Sequence, residues 1–325
     1  MRRGLATRRD RAAVRNRAGK AGWPARLGAL LVLGLGLGFA LGGCSAAAAD
    51  RPTVVVTTNI LGDITRNVVG EQADVVVLMA ANADPHSFGI SARQAAGIEN
   101  AALIIHNGGG LEENVLNHVK AAEAEGVPAL PVLDAVGPLS FTQSGQGAPD
   151  PHFWTDPSRV AKAAEAIAAA VSEHVGGADA GAVRSQAATY TGQLQELEAA
   201  MEAGFAGIGP GQRKLITNHH VFGYLANRFG FEVVGAVIPS GTTLASPSPT
   251  DLADLTGKIR SAGVRAIFAD SSQPARLAEV LAAEAGEDIA VVPLFTESLG
   301  PEGSDAGTYL GMMRANAERI TQALG

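Results

Sequence analysis

From residue 53 onward, short runs rich in Val and Ile alternate with longer stretches of helical spacing, and one long helical stripe divides the alternation in two. Thr53-Val-Val-Val-Thr-Thr58 is a continuous β-branched run, the pattern of a strand buried on both faces. Residues 60–69 then read as a helix and 73–80 as a strand. Ser91 opens a helix, with Gln94 placed to complete a capping box. Residues 102–105 read as a strand, 111–125 as a helix and 127–133 as a closing strand. After a loop at 136–151, Asp156 is placed to cap a helix that Pro157 begins. The stripe comes next. Val183, Ala187, Tyr190, Leu194, Leu197 and Met201 are spaced 4, 3, 4, 3, 4 along one face, and Gly207, Gly209, Pro210 and Gly211 end the run. Strand patterns then return at 214–217, 231–238, 264–269 and 289–295. Helical ones fall between them at 221–229, 248–262 and 274–285, with a last one at 308–324.

Such alternation specifies parallel sheets covered by helices. The chain therefore reads as two mostly parallel-sheet α/β lobes joined by one long rigid helix: 53–175, 176–208 and 209–325. Ligands of open α/β sheets sit at the carboxyl ends of strands, so two such lobes would face each other across a shared cleft. The composition agrees, with 46% apolar and 18% charged residues, which supplies core material for a folded chain.

Residues 1–43 differ from this body. Arg and Lys crowd positions 2–26, an uncharged apolar run covers 27–41, and Leu41-Gly42-Gly43-Cys44 follows. The run is short for a membrane span and has the order of a secretory signal. It resembles the bacterial lipoprotein signal, in which the cysteine becomes the lipidated first residue; an uncleaved signal anchor is the other reading. Cys44 would then carry the lipid, with 44–52 as a tether, and the protein would be extracytoplasmic, held at the cell membrane. Cys44 is the only cysteine, so no intramolecular disulfide can form. Residues 1–43 hold nine of the 25 basic and one of the 32 acidic residues, leaving 16 basic and 31 acidic residues, a net of −15, in the rest. A body this acidic does not seek nucleic acid or anionic headgroups.

The chemistry concentrates in the histidines. Asp84-Pro85-His86 and Asp150-Pro151-His152 repeat one tripeptide, each ahead of a helix. Proline drives the preceding Asp into extended backbone, which holds each His on a defined turn. His219 follows the strand pattern at 214–217, and Glu297 follows that at 289–295. The gaps of 66, 67 and 78 residues do not suit a zinc finger, whose ligands come in close pairs, but suit a site assembled between lobes. Imidazole is the commonest ligand of Zn²⁺, and three of them leave one coordination position for a carboxylate such as Glu297 or for water. Of the other histidines, His106 ends a strand and reads as structural. His118 and His174 lie in helices and read as solvated, and His220 adjoins His219 with only one of the pair expected in the site. Asp84, Asp150 and Asp270 are candidates to orient the imidazoles, with Asp84 and Asp150 expected mainly to form turns.

From Thr53 onward the chain resembles the solute-binding proteins of bacterial ABC importers for zinc and manganese. The motifs are Asp84-Pro85-His86-Ser87-Phe88, Asn107-Gly108-Gly109-Gly110-Leu111-Glu112, Asp150-Pro151-His152-Phe153-Trp154, His219-His220-Val221-Phe222-Gly223-Tyr224 and Leu294-Phe295-Thr296-Glu297-Ser298-Leu299-Gly300. The resemblance implies His86, His152, His219 and Glu297 as metal ligands between two lobes, and transfer of the ion to a membrane permease by a single copy of the chain. It implies no catalysis. His at the third position favours zinc over manganese. Two departures stand out: Glu297 and His220 each occupy places usually held by Asp. The loop at 136–149 also lacks the histidines that many zinc members carry there. Two other classes fit the same residues less well. A zinc hydrolase would use an open coordination position, but the chain has no H-E-x-x-H motif. A metal-free scaffold lipoprotein would need none of the four side chains.

Overall fold

The computed structural model describes residues 51–141, 147–286 and 288–325. The signal segment, Cys44 and most of the tether lie outside the described residues, as does the middle of the loop at 136–149. The chain begins with β1 (Thr53–Val56), α1 (Asn59–Val69), β2 (Asp74–Val77), α2 (Ala92–Glu99), β3 (Leu103–His106), α3 (Leu116–Ala124), β4 (Ala129–Pro131) and α4 (Val132–Ala135). Helices α5 (Pro157–His174) and α6 (Ala180–Ala206) follow. The second half holds β5 (Lys214–Thr217), α7 (Gly223–Phe229), β6 (Glu232–Ala236), α8 (Pro249–Ala262), β7 (Ala266–Asp270), α9 (Arg276–Ala285), β8 (Ala290–Leu294) and α10 (Tyr309–Leu324).

Two four-stranded sheets result, ordered β2-β1-β3-β4 and β6-β5-β7-β8, with every pairing parallel. The inner strands β3 and β7 are buried along their whole length, as their unbroken apolar runs require. The edge strands show the opposite signs. Val76 of β2 is 45% exposed, and prolines sit in β4 (Pro131) and β8 (Pro293), where a missing N–H costs the sheet nothing on its open side.

Helix α6 buries Val183, Ala187, Tyr190, Leu194, Leu197 and Met201, the whole stripe read from the sequence, and Phe205 one turn beyond it. It starts at Ala180, where the Asp179 carboxylate accepts from the N–H groups of Gly181 and Ala182 and caps the first turn. The helix packs on α1, α5 and α10. The largest apolar cluster runs from β1 and α1 through α6 to Phe268 of β7 and Met312 of α10, so the two lobes share one core.

Two expectations need correction. The helix expected at 111–125 begins at Leu116. Residues 107–112 instead form a tight loop in which Gly108, Gly109 and Gly110 all have positive φ, and the buried Glu112 carboxylate turns back to accept from Asn107 N–H at 2.6 Å and Thr57 Oγ1 at 2.6 Å. The strand expected at 127–133 is confined to Ala129–Pro131, since Val132 and Leu133 turn into α4 and the core.

Candidate metal centre

Both Asp-Pro-His turns are built alike. Asp84 Oδ1 accepts from His86 N–H at 2.9 Å, and Asp150 Oδ1 accepts from His152 N–H at 3.0 Å. The aspartate thus closes a turn onto its own backbone two residues on, and the imidazole is thrown inward. His86 sits on the loop leaving β2, and His152 opens the 3₁₀ turn Phe153–Thr155 that leads to α5. His219 lies two residues past β5, where Thr217 Oγ1 and Val221 N–H both bond its carbonyl. Glu297 lies three residues past β8. Each lobe therefore supplies two of the four side chains: His219 and Glu297 directly follow strands, while His86 and His152 come from the two Asp-Pro-His turns.

The four meet. One ligand atom from each of His86, His152, His219 and Glu297 lies within 4.8 Å of all the others. His219 Nε2 is 3.2 Å and His152 Nε2 3.7 Å from Glu297 Oε1, and His86 Nε2 is 3.6 Å from Oε2. The Nε2 atoms of His152 and His219 are 3.3 Å apart. All four residues are buried, none more than 1% exposed. Among the described residues, both nitrogens of His86, Nδ1 of His219 and both Glu297 oxygens have no hydrogen-bond partner. Buried polar atoms left without partners are rare and costly. A cation at their centre would satisfy the Nε2 and carboxylate atoms together.

Electrostatics point the same way. Burial pushes His86 down to about 3, helped by the neighbouring His152 and His219. Burial also lowers His152 well below its usual value, and lowers His219 against the pull of Asp270, Asp84 and Asp150. Neutral imidazoles with free lone pairs are what a metal needs. Burial raises Glu297 well above the usual carboxylate range, and the charges of Asp270, Asp84 and Asp150 raise it further.

Asp84 and Asp150 do more than form turns. Asp150 Oδ1 also lies 2.7 Å from His152 Nδ1, which fixes the ring and leaves Nε2 for the centre. Asp84 Oδ2 accepts from Ser87 Oγ and, across the cleft, from Thr243 Oγ1 at 2.6 Å and Gln273 Nε2 at 3.1 Å. Asp270 accepts from Thr296 Oγ1, beside Glu297. His220 faces away, lining a cavity of about 440 Å³ with Phe141, Asp150 and Gly241. His106 is buried at the end of β3, while His118 and His174 are exposed on helices. Sequence reasoning missed Trp154 as a wall of the site. Its ring meets that of His152 at 5.3 Å and its Nε1 donates to Thr296 O at 2.8 Å; its place two residues after His152 was the available signal.

Residues 54–323 match the family described as zinc-uptake complex component A, periplasmic (ZnuA). The zinc-binding protein TroA of Treponema pallidum is 29% identical over 302 residues, covering 91% of this chain and 96% of that one. The manganese-binding lipoprotein MntA of Bacillus subtilis is 29% identical over 303 residues, covering 88% and 95%. The solved structure of T. pallidum periplasmic zinc-binding protein TroA superposes with a TM-score of 0.77 at 26% identity, covering 85% of this chain and 99% of that chain. The two sheets, the shared helix and a match spanning nearly the whole described body agree: the chain belongs to the ZnuA family of extracytoplasmic metal-binding receptors that serve ABC importers.

Proposed function

We propose that His86, His152, His219 and Glu297 bind one Zn²⁺ ion between the lobes, and that the loaded receptor hands it to its membrane permease. One observation carries this reading: four buried metal-ligating groups converge, with both His86 nitrogens and both Glu297 oxygens left without a hydrogen-bond partner. The set of three imidazoles and one carboxylate favours Zn²⁺, because Mn²⁺ prefers oxygen-rich sites. Complete burial suits retention of an ion rather than turnover of a larger substrate. The MntA likeness keeps manganese as the second reading. Cys44 would carry the lipid anchor that keeps a single copy of the chain beside the permease.

Metal analysis of protein purified without added metal, followed by competition between Zn²⁺ and Mn²⁺, tests this. Zinc should be retained and should displace manganese. Replacing His86, His152 and His219 together with Ala should abolish retention. Preference for Mn²⁺ in the competition overturns the choice of metal, and unchanged zinc binding in the triple variant overturns the site.

A further inference from the structure

The segment that presents Glu297 is held at every residue but Glu297 itself. Asn316 brackets Phe295, accepting from its N–H at 2.9 Å and donating to its carbonyl at 2.7 Å. Trp154 Nε1 and Asp270 hold Thr296. Ser298 and Leu299, just past Glu297, are held by Asn59, which opens α1 in the other lobe. Asn59 Nδ2 donates to Ser298 Oγ at 2.7 Å, and Asn59 Oδ1 accepts from Leu299 N–H at 2.9 Å. The same Nδ2 donates to Ala80 O at 2.8 Å, on the loop that leads to His86. Asn82 of that loop adds a bond from its N–H to Leu299 O at 2.9 Å. It does so at φ 56°, the left-handed region, and is the only non-glycine there among the described residues.

We propose that Asn59 is a positioning residue for the metal centre, tying the Glu297 segment of one lobe to the His86 loop of the other and so fixing the carboxylate against the imidazoles. The proposal rests on the metal-site reading above. Asn59 is buried, and both of its amide N–H groups and its Oδ1 bond these two segments. A side chain serving α1 alone would bond its own helix turn; that role falls to Thr58, whose hydroxyl accepts from Leu61 N–H.

The test uses Zn²⁺ affinity, the visible d–d absorption of the Co²⁺-loaded protein, and the urea midpoint of the metal-free protein. Co²⁺ absorption reports the number and geometry of ligands, which a purely structural role for Asn59 would leave alone. Asn59→Ala should weaken Zn²⁺ binding by about 10–100-fold, the usual cost of losing a group that supports a ligand, and should alter the Co²⁺ spectrum. Ser298→Ala, which removes one of the three bonds, should shift the spectrum the same way with a smaller loss of affinity. It carries the test where the Asn59→Ala chain does not fold. Glu297→Ala is the control. If it loses affinity while Asn59→Ala and Ser298→Ala bind Zn²⁺ within twofold of the parent with unchanged Co²⁺ spectra, the positioning role is overturned and the site stands. If Glu297→Ala itself binds as before with the parent spectrum, Glu297 is no ligand and the proposal falls with the site reading.

Discussion

Glu297 pays for its position in the metal-free protein. A carboxylate surrounded by three imidazoles and fully desolvated holds its proton above the pH at which an exposed Glu releases it. The folded state therefore binds more protons than the unfolded chain above pH of about 4.5, and this group's contribution falls as pH rises. Glu297→Gln removes the liability and the proposed ligand together. The metal-free variant should melt higher than the parent at pH 8, by about 2–4 °C for a gain near 1 kcal/mol, and should match it near pH 4. Its Zn²⁺ affinity should drop at both. A variant that melts lower at pH 8 would show that the carboxyl is not strained there. The histidines run the other way: with His86 down at about 3, metal-free stability is lost as pH falls from the unfolded value of about 6.5. At this scale the four converging side chains were legible, because the Asp-Pro-His turns and the post-strand positions of His219 and Glu297 are local patterns. Asp150, a candidate to orient an imidazole, does so at His152 Nδ1. The bonds of Asp84 to Thr243 and Gln273, and the place of Asn59, were not legible, because their partners lie on the facing lobe and are not written in the neighbouring residues.

Among the elements, the apolar pattern predicted best where burial is regular, along one face of a helix or on both faces of an inner strand. Helix α6 needed only its stripe to be placed, and strands β1, β3 and β7 only their unbroken apolar runs. It failed at residues 111–115, where Leu111 and Val115 continue a helical pattern but the preceding glycines and the inward Glu112 make a loop. Helical spacing cannot report an acid that leaves the surface to bond backbone. The loop matters to the site because Asn107 Nδ2 donates to Pro151 O at 2.9 Å, the residue before His152. Gly109, at φ 66°, backs onto the same place: a Cβ there would lie 2.5 Å from Leu133 Cδ2 and 3.4 Å from Pro151 Cβ. Gly109→Ala should therefore cost about 1–3 kcal/mol of metal-free stability, from the left-handed backbone together with the clash. Zn²⁺ affinity should fall with it as Pro151 and His152 shift. Urea unfolding and zinc titration check the two effects; a normal urea midpoint would show that the loop relaxes freely.

For the molecule as a whole, the two lobes were legible from the repeated alternation, but how tightly they close was not, since no single segment records it. The seam is closed by bonds from residues distant in sequence. Tyr309 OH donates to Trp154 O at 2.7 Å, Tyr224 OH to Asp150 O at 2.7 Å, and Thr243 Oγ1 to Asp84 Oδ2 at 2.6 Å. With His152 and His219 at 0% exposure and His86 and Glu297 at 1%, neither an ion nor a chelator can touch the centre in this form. Release must wait for the seam to part. The shared core across α6 resists a wide hinge, so the parting falls to the loops at the rim. The rate at which a strong chelator removes Zn²⁺ should then level off as chelator concentration rises, because opening and not encounter sets the pace. Tyr309→Phe, which removes the bond to Trp154 O and keeps the ring, should raise that plateau while changing initial loading little. A release rate that climbs in proportion to chelator at all concentrations would mean that the chelator reaches the ion directly, and the closed form described here would not be the one that holds the metal.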